Sequence, residues 1–409
     1  MPGLPRIISV DDHVIEPPEL WMSRLPAKYQ NVGPRVERRK GFMRGVRSVY
    51  TFEESNDDDA LWADCWLYED AVVPLTRGFA IFEPNGEIHE GGFKNQVVTF
   101  DAIAPGSFRQ AERLSDMDKN HTDASICFPT FARFCGQRFA TAKDRDLAYL
   151  CVQAYNDFII DEWCSGDGRG RLIPLTLIPL WDGELAAAEV RRCAEKGSHA
   201  VAFSEAPYEL GLPSIHSGVW DAFIQACAET DTVINMHIGS SGMLTTTSDD
   251  APPSTIPALN AVNSVKAFVD WMTSGHLERH PDLRIAFSEG QVGWMPFYLE
   301  RLTSLWIRDE RYGSPLRATA PKHPHEYMRQ VYGCLYDDLH GLRSRDVIGI
   351  EQLMFETDYP HPDSTWPDSD AVSEKLVREA GMSDDDIYKF LRGNAIRCYG
   401  LDKYFGVTA

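Results

Sequence analysis

The sequence predicts an α/β fold, a (β/α)8 TIM barrel with a long insertion after its first strand. Three observations predict it. Eight short, continuously apolar runs recur along 409 residues, most of them followed by a segment with helical spacing, and polar metal-ligating residue types collect where those runs end. Continuous rather than alternating apolar runs are what parallel strands buried on both faces require.

The elements follow in order. Arg6–His13 reads as the first strand, Asp123–Pro129 as the second and Leu172–Leu180 as the third. His199–Glu205, Thr232–Ile238 and Arg284–Glu289 come next, then the weaker Val331–Tyr336, and Gln352–Pro360 is the eighth. Between them, Leu147, Leu150, Cys151, Ala154, Tyr155 and Phe158 form one apolar helical face. Glu184–Lys196 is a helix that Gly197 would cap. Val219–Glu229, Val262–Met272, Pro296–Trp306, Ser373–Ala380 and Asp384–Tyr399 complete the helical set. An open doubly wound sheet is the alternative, weakened because no GxGxxG loop follows a strand. The whole chain, 1–409, reads as one barrel domain.

One stretch breaks the rhythm. Residues 22–115 are too many for an ordinary strand-to-helix connection. They hold the acidic run Asp57-Asp58-Asp59, then Trp62, Trp66 and Tyr68, and strand-like pieces near Gly78–Phe82 and Gln96–Phe100. The expectation is an insertion over the barrel mouth, serving as a lid, a buttress or a subunit contact.

Asp and Glu outnumber Lys and Arg by 61 to 40, for a net charge of −21. So acidic a chain argues against a nucleic-acid or anionic-membrane partner, and no apolar run is long enough to cross a bilayer. The start, Met1-Pro2-Gly3-Leu4-Pro5-Arg6, lacks a signal-peptide profile, and the nine cysteines form no CxxC pair. The expectation is a cytoplasmic protein with reduced thiols. Whether a pocket is itself acidic or basic turns on a few residues such as Arg133 and Arg138.

The strand ends carry the chemistry. Asp11 and His13 share one side of the first strand, with Asp12 on the other. Glu205, His237 and Glu289 end the fourth, fifth and sixth strands, and Asp358 ends the eighth with His361 just beyond. In a parallel barrel these ends converge on one rim. Carboxylates so gathered repel one another unless cations sit among them. Asp11, His13, His237 and Asp358 are the principal candidate metal ligands, with Glu289 and Glu205 as further candidates; Glu205 could instead bind a backbone amide or a substrate amine. A bound cation lowers the pKa of water, and Asp358 beside it could shuttle the proton, with His237 as the second candidate catalytic residue. Other chemistries are weakly signalled. Gly239-Ser240-Ser241-Gly242 is not a GxSxG elbow, and Cys164 and Cys193 have no histidine nearby in sequence.

Over nearly its whole length the chain resembles the amidohydrolase superfamily, in the branch of aminocarboxymuconate-semialdehyde decarboxylase and aromatic-acid decarboxylases. The resemblance is carried by Ser9–Trp21, Arg113–Pro129, Gly170–Asp182, Val201–Phe223, Met236–Ser241, Ala286–Pro296 and Phe355–Pro367. It implies that Asp11 and His13 are the first-strand metal pair, His237 the fifth-strand ligand and Asp358 the aspartate that binds metal and transfers protons. It implies hydrolysis or decarboxylation of a small amide or carboxylic acid. Barrel subunits of this branch associate, so a homo- or hetero-oligomer is expected. Two departures stand out. The family's first-strand pair is typically His-x-His but is Asp11-x-His13 here, and the sixth-strand position, often His, is Glu289. Both add negative charge and remove nitrogen, which shifts preference from zinc towards manganese or iron and makes two ions more plausible, with one or two divalent ions per chain expected. The alternatives are therefore a dinuclear iron or manganese/iron oxygenase acting on a small amine, or a non-catalytic partner subunit.

Overall fold

In the computed structural model the described residues are 3–46, 49–80, 96–242, 245–248, 250–252, 254–312 and 316–406. After β1 (Ile7–Val14) come four antiparallel strands, β2 (Arg35–Val46), β3 (Val49–Glu54), β4 (Leu61–Tyr68) and β5 (Ala71–Pro74), in the order β3-β2-β4-β5. The parallel strands then resume. They are β6 (Thr122–Pro129), β7 (Leu172–Ile173), β8 (Leu175–Thr176), β9 (Ala200–Phe203), β10 (Val233–His237), β11 (Ile285–Ser288), β12 (Val331–Leu335) and β13 (Leu353–Phe355).

The predicted third strand is shorter than expected and is split. Pro174 has no N–H to give a ladder, so Leu172–Ile173 pairs with β6 and Leu175–Thr176 with β9. Counted as one stave, β7 and β8 make eight parallel positions, in the order expected of a TIM barrel. The ring closes where the chain after β13 meets β1: the Asp358 amide donates to Asp11 O at 2.9 Å and the His13 amide to Tyr359 O at 2.7 Å. Strand residues such as Ile8, Val10, Ile126, Val201, Ile234 and Phe287 are wholly buried.

Helices cover the outside where the apolar spacing placed them. Arg145–Phe158 is capped by Asp144, which accepts from the Leu147 amide, and Gly183–Glu195 is capped by Asp182. Gly197, beyond that helix, has φ +95°, a conformation glycine adopts without strain. Among the described residues no helix is long and apolar enough to cross a membrane.

The insertion docks through aromatics. Trp66 of β4 stacks on Phe131 at 4.8 Å, and Trp21 meets both edge-on at 5.2 Å. The expected end of the insertion, residue 115, falls inside the helix Gln110–Lys119. Of the expected strand pieces, Arg77–Phe79 is instead a 3-10 turn and Val97 makes a lone bridge to Thr76; Ile81 and Phe82 lie outside the described residues. Turn hydrogen bonds override strand propensity there.

Arg113, fully buried on the helix Gln110–Lys119, ties this excursion to the barrel. Its Nε donates to Gly106 O at 2.8 Å, another guanidinium nitrogen donates to His13 O, and the group lies 4.4 Å from the Tyr359 ring centroid. It also holds down the carboxyl of buried Asp12, whose pKa burial raises. Removing one partner of such a buried set leaves an uncompensated charge. Arg113→Leu is therefore expected to lower unfolding free energy by about 3 kcal/mol, read from urea denaturation. A loss below about 0.5 kcal/mol, the range of ordinary surface changes, would contradict this role.

Candidate metal centre

β1 presents its polar residues in two directions, with a bulge between Ser9 and Asp12. Asp12 turns outward and is satisfied: Oδ1 accepts from Ser9 Oγ at 3.0 Å, Thr357 Oγ1 at 2.5 Å and the Tyr359 amide at 3.0 Å, and Oδ2 from Ser125 Oγ. Asp11 turns inward beside His13. Both are almost completely buried, and neither Asp11 oxygen finds a hydrogen-bond donor among the described residues.

Around Asp11 the rim closes tightly. His237, ending β10, brings Nε2 to 3.3 Å from Asp11 Oδ2 and to 3.3 Å from His13 Nε2. His13 Nε2 lies 3.6 Å from Asp11 Oδ1 and 3.2 Å from Asp358 Oδ1. His361 Nδ1 stands 2.9 Å from the same Asp358 oxygen. Potential ligand atoms fall into two overlapping groups, Asp11–His13–His237 and His13–Asp358–His361, each within 4.8 Å.

The protonation states follow from neighbours. His237 Nδ1 lies 2.6 Å from Ile238 O, an atom that only accepts, so Nδ1 carries the proton and Nε2 presents a lone pair inward. Burial lowers His13 to about 4 and takes His237 well below the usual histidine range; the neighbouring imidazoles push the same way. Burial also raises the Asp11 carboxyl, helped by Glu356, Glu289 and Asp358. Asp358 is the exception. Burial works upward on it, but the His361 charge and the His13 and His361 contacts hold it below the usual carboxylate range. Burial likewise works against His361, yet Asp358 lifts it to about 9. Two neutral imidazoles, one of them presenting its Nε2 lone pair, beside a carboxylate that has no donor among the described residues, fit a divalent cation.

Glu289 follows β11 with φ +52°, and its Oε2 is 3.5 Å from His237 Nε2. Its amide donates to Glu356 Oε2 at 3.1 Å. Glu205 sits elsewhere. It follows β9, accepts from the Gly239 amide at 2.9 Å and joins neither ligand group; burial raises its carboxyl to about 7. The backbone-amide alternative is thus the contact observed.

Sequence reasoning passed over two residues. Glu356 is wholly buried just beyond β13, two positions before Asp358. His361, expected only to lie just beyond the eighth strand, turns back three residues after Asp358 to pair with it.

The cluster borders a cavity of about 450 Å³, which His13, Glu289 and His361 help to line. Trp66 and Phe79 of the insertion and Phe131 and Phe134 after β6 make apolar walls. Phe134 stacks on His237 at 4.1 Å, with the rings 10° from parallel.

The chain matches the Amidohydrolase family over residues 63–401. Among solved structures, an amidohydrolase from Mycobacterium avium subsp. paratuberculosis K-10 superposes with a TM-score of 0.70 at 22% identity, covering 98% of this chain and 100% of that one. A 5-carboxyvanillate decarboxylase from Novosphingobium aromaticivorans, complexed with manganese and 4-hydroxy-3-methoxy-5-nitrobenzoic acid, gives 0.57 at 20% identity, covering 72% and 81%. A 2,6-dihydroxybenzoate decarboxylase from Rhizobium gives 0.58 at 16%, covering 98% and 100%. At these identities the likeness is one of fold.

The Asp358–His361 pair can be read directly. In chelator-treated protein His361 is expected to titrate near about 9 in imidazole NMR, and Asp358→Asn to bring that midpoint down. An unmoved midpoint would assign the elevation to some other group.

Proposed function

The chain belongs to the amidohydrolase family, and from that premise we propose that it is a metal-dependent hydrolase or carboxy-lyase acting on a small amide or carboxylic acid. One observation carries the reading: two buried imidazole nitrogens face each other at 3.3 Å beside a carboxylate that has no hydrogen-bond donor among the described residues. Asp11, His13, His237 and Asp358 would hold the ion. When bound, a divalent cation polarises a carbonyl or carboxyl group and acidifies water at its open position.

The chain's own residues do the rest. Asp358 Oδ1, ionised and 2.9 Å from His361 Nδ1, is placed to accept a proton and return it to the leaving group or to the carbon that loses carboxyl. His361 holds the neighbouring proton at neutral pH. His237, its tautomer fixed by Ile238 O, is oriented further by Phe134. Trp66, Phe79 and Phe131 keep bulk water from the floor and offer a flat substrate apolar surface. In this reading the insertion acts as a fixed cover on one side of the mouth. The two decarboxylases of the same fold support the carboxy-lyase half of the proposal.

A second reading keeps a specific observation behind it. Glu289 stands 3.5 Å from His237, with Glu356 behind it, so the rim carries more carboxylate than one ion needs. This favours a dinuclear iron or manganese/iron centre and oxidation of a small amine.

Elemental analysis and turnover separate the readings. One ion per chain, with release of carbon dioxide or amine that a chelator abolishes and added manganese or zinc restores, supports the first. Two iron or manganese ions per chain, with oxygen uptake on amine addition, support the second. Asp358→Asn is expected to lower kcat by about 10³-fold; parent-level kcat in that variant would refute the proton-transfer role. His237→Ala is expected to lose metal.

A further inference from the structure

The segment after β6 carries two guanidinium groups into the same cavity. Arg133 and Arg138 both line it, and both also line a smaller adjoining space of about 300 Å³. Among the described residues neither has an acidic partner within ion-pair distance. Arg138 spends its Nε on Phe131 O at 2.7 Å and lies 4.6 Å from that ring's centroid. Arg133 makes no side-chain hydrogen bond among the described residues.

The acids nearby are already engaged. Glu16 accepts from the Thr130, Phe131 and Ala132 amides at 3.3, 2.7 and 3.0 Å. Glu69 accepts from the Lys143 amide, and Asp70 pairs with the Lys143 ammonium. On the floor, Asp358 is matched to His361 and Glu289 faces His237. In a chain with 61 acidic residues against 40 basic ones, two neighbouring arginines with no ion pair among the described residues stand against the overall composition.

The backbone beneath them is also built with strain. Arg133 has φ +60°, the left-handed region that a long side chain rarely adopts. Its position is enforced by the Glu16 clamp on the three preceding residues. Burial lowers Arg138 to about 10, and the neighbouring Arg133 adds to that, so each charge is costly to the other. An apolar cavity with two desolvated, unpaired guanidiniums suits a planar anion, which takes parallel N–H bonds from such forks.

We infer that Arg133 and Arg138 form an anion subsite, which holds a carboxylate of an otherwise apolar, ring-sized ligand separately from the group presented to the cation cluster. The substrate is then a molecule with two ends. One is a permanent carboxylate on the arginines, and the other is the amide or carboxyl group that reacts. As a statement about substrate this rests on the metal-dependent reading above; as a binding site it stands on the arginines alone.

The test uses benzoate and its neutral analogue benzamide, titrated by calorimetry into the full chain, both metal-loaded and chelator-treated. Benzoate is expected to bind both forms, and more tightly than benzamide. Arg133→Gln and Arg138→Gln are each expected to weaken benzoate about tenfold and leave benzamide unchanged, and Arg133→Lys to retain part of the affinity. Circular dichroism and metal content matching the parent show that the variants are folded. Benzoate binding that survives the double variant Arg133→Gln/Arg138→Gln, or that vanishes on chelation, would send the carboxylate to the cluster and overturn the inference. No saturable benzoate binding to either form would overturn it as well. The two proposals fail separately. A chain that binds benzoate through the arginines but no metal refutes the hydrolase or lyase reading alone.

Discussion

The structure depends on a contrast between two adjacent aspartates. Asp11 and Asp12 are both buried to within 1% of complete. Asp12 receives three hydroxyl donors and an amide, whereas among the described residues Asp11 receives none. The barrel can therefore satisfy a buried carboxylate at this height, and it leaves Asp11 without a donor beside neutral His13 and His237. Two unit charges about 4 Å apart interact by about 4 kcal/mol even at an effective dielectric of about 20. A rim with Asp11, Asp358, Glu289 and Glu356 is therefore tolerated through protonation, through His361, or through a cation. The His237 lone pair favours the cation, because in the tautomer that Ile238 O sets, its Nε2 has no proton to give Asp11 or His13.

Backbone strain marks the same places. Glu289, Asp358 and Arg133 are non-glycine residues at φ +52°, +60° and +60°. Each is held by a specific partner: the Glu289 amide by Glu356, the Asp358 amide by Asp11 O, and the segment before Arg133 by Glu16. These partners are buried, so the strained turns are fixed before any ligand arrives. Glu356 thus acts on the rim through backbone as well as through charge.

The fold was legible because parallel strands buried on both faces are mostly apolar along their length, with only scattered polar residues such as Ser125 and Asn235, and that pattern is local. Asp11 and His13 could be paired from alternation alone, and Asp12 set aside, for the same reason. What was not legible needed contacts from far along the chain. Pro174 divides a run that reads as one strand, because hydrophobicity does not register a missing amide. Glu205 looks like any other strand-end acid until the turn after β10 offers it the Gly239 amide, 34 residues on. Glu356 gains meaning only when Glu289, 67 residues away, presents its amide. Arg133 and Arg138 could be named from the sequence as pocket candidates, but their lack of acidic partners is a property of the folded segment.

That segment after β6 joins the two halves of the site. Phe134 stacks on His237 and so touches the cation cluster, while Arg133 and Arg138, one and four residues from it, line the same cavity. A cation bound at the floor and two guanidiniums on the wall would repel one another across an apolar space, where screening by water is weak. An occupant that offsets both must carry negative charge or electron-rich oxygen at two places rather than one. Such an occupant draws the cation and the arginines into a single favourable field, and a neutral molecule of the same size leaves the repulsion standing. Under the proposed anion subsite, the selectivity of the cavity would follow from charge placement, with the aromatic walls supplying affinity that any flat ring would share.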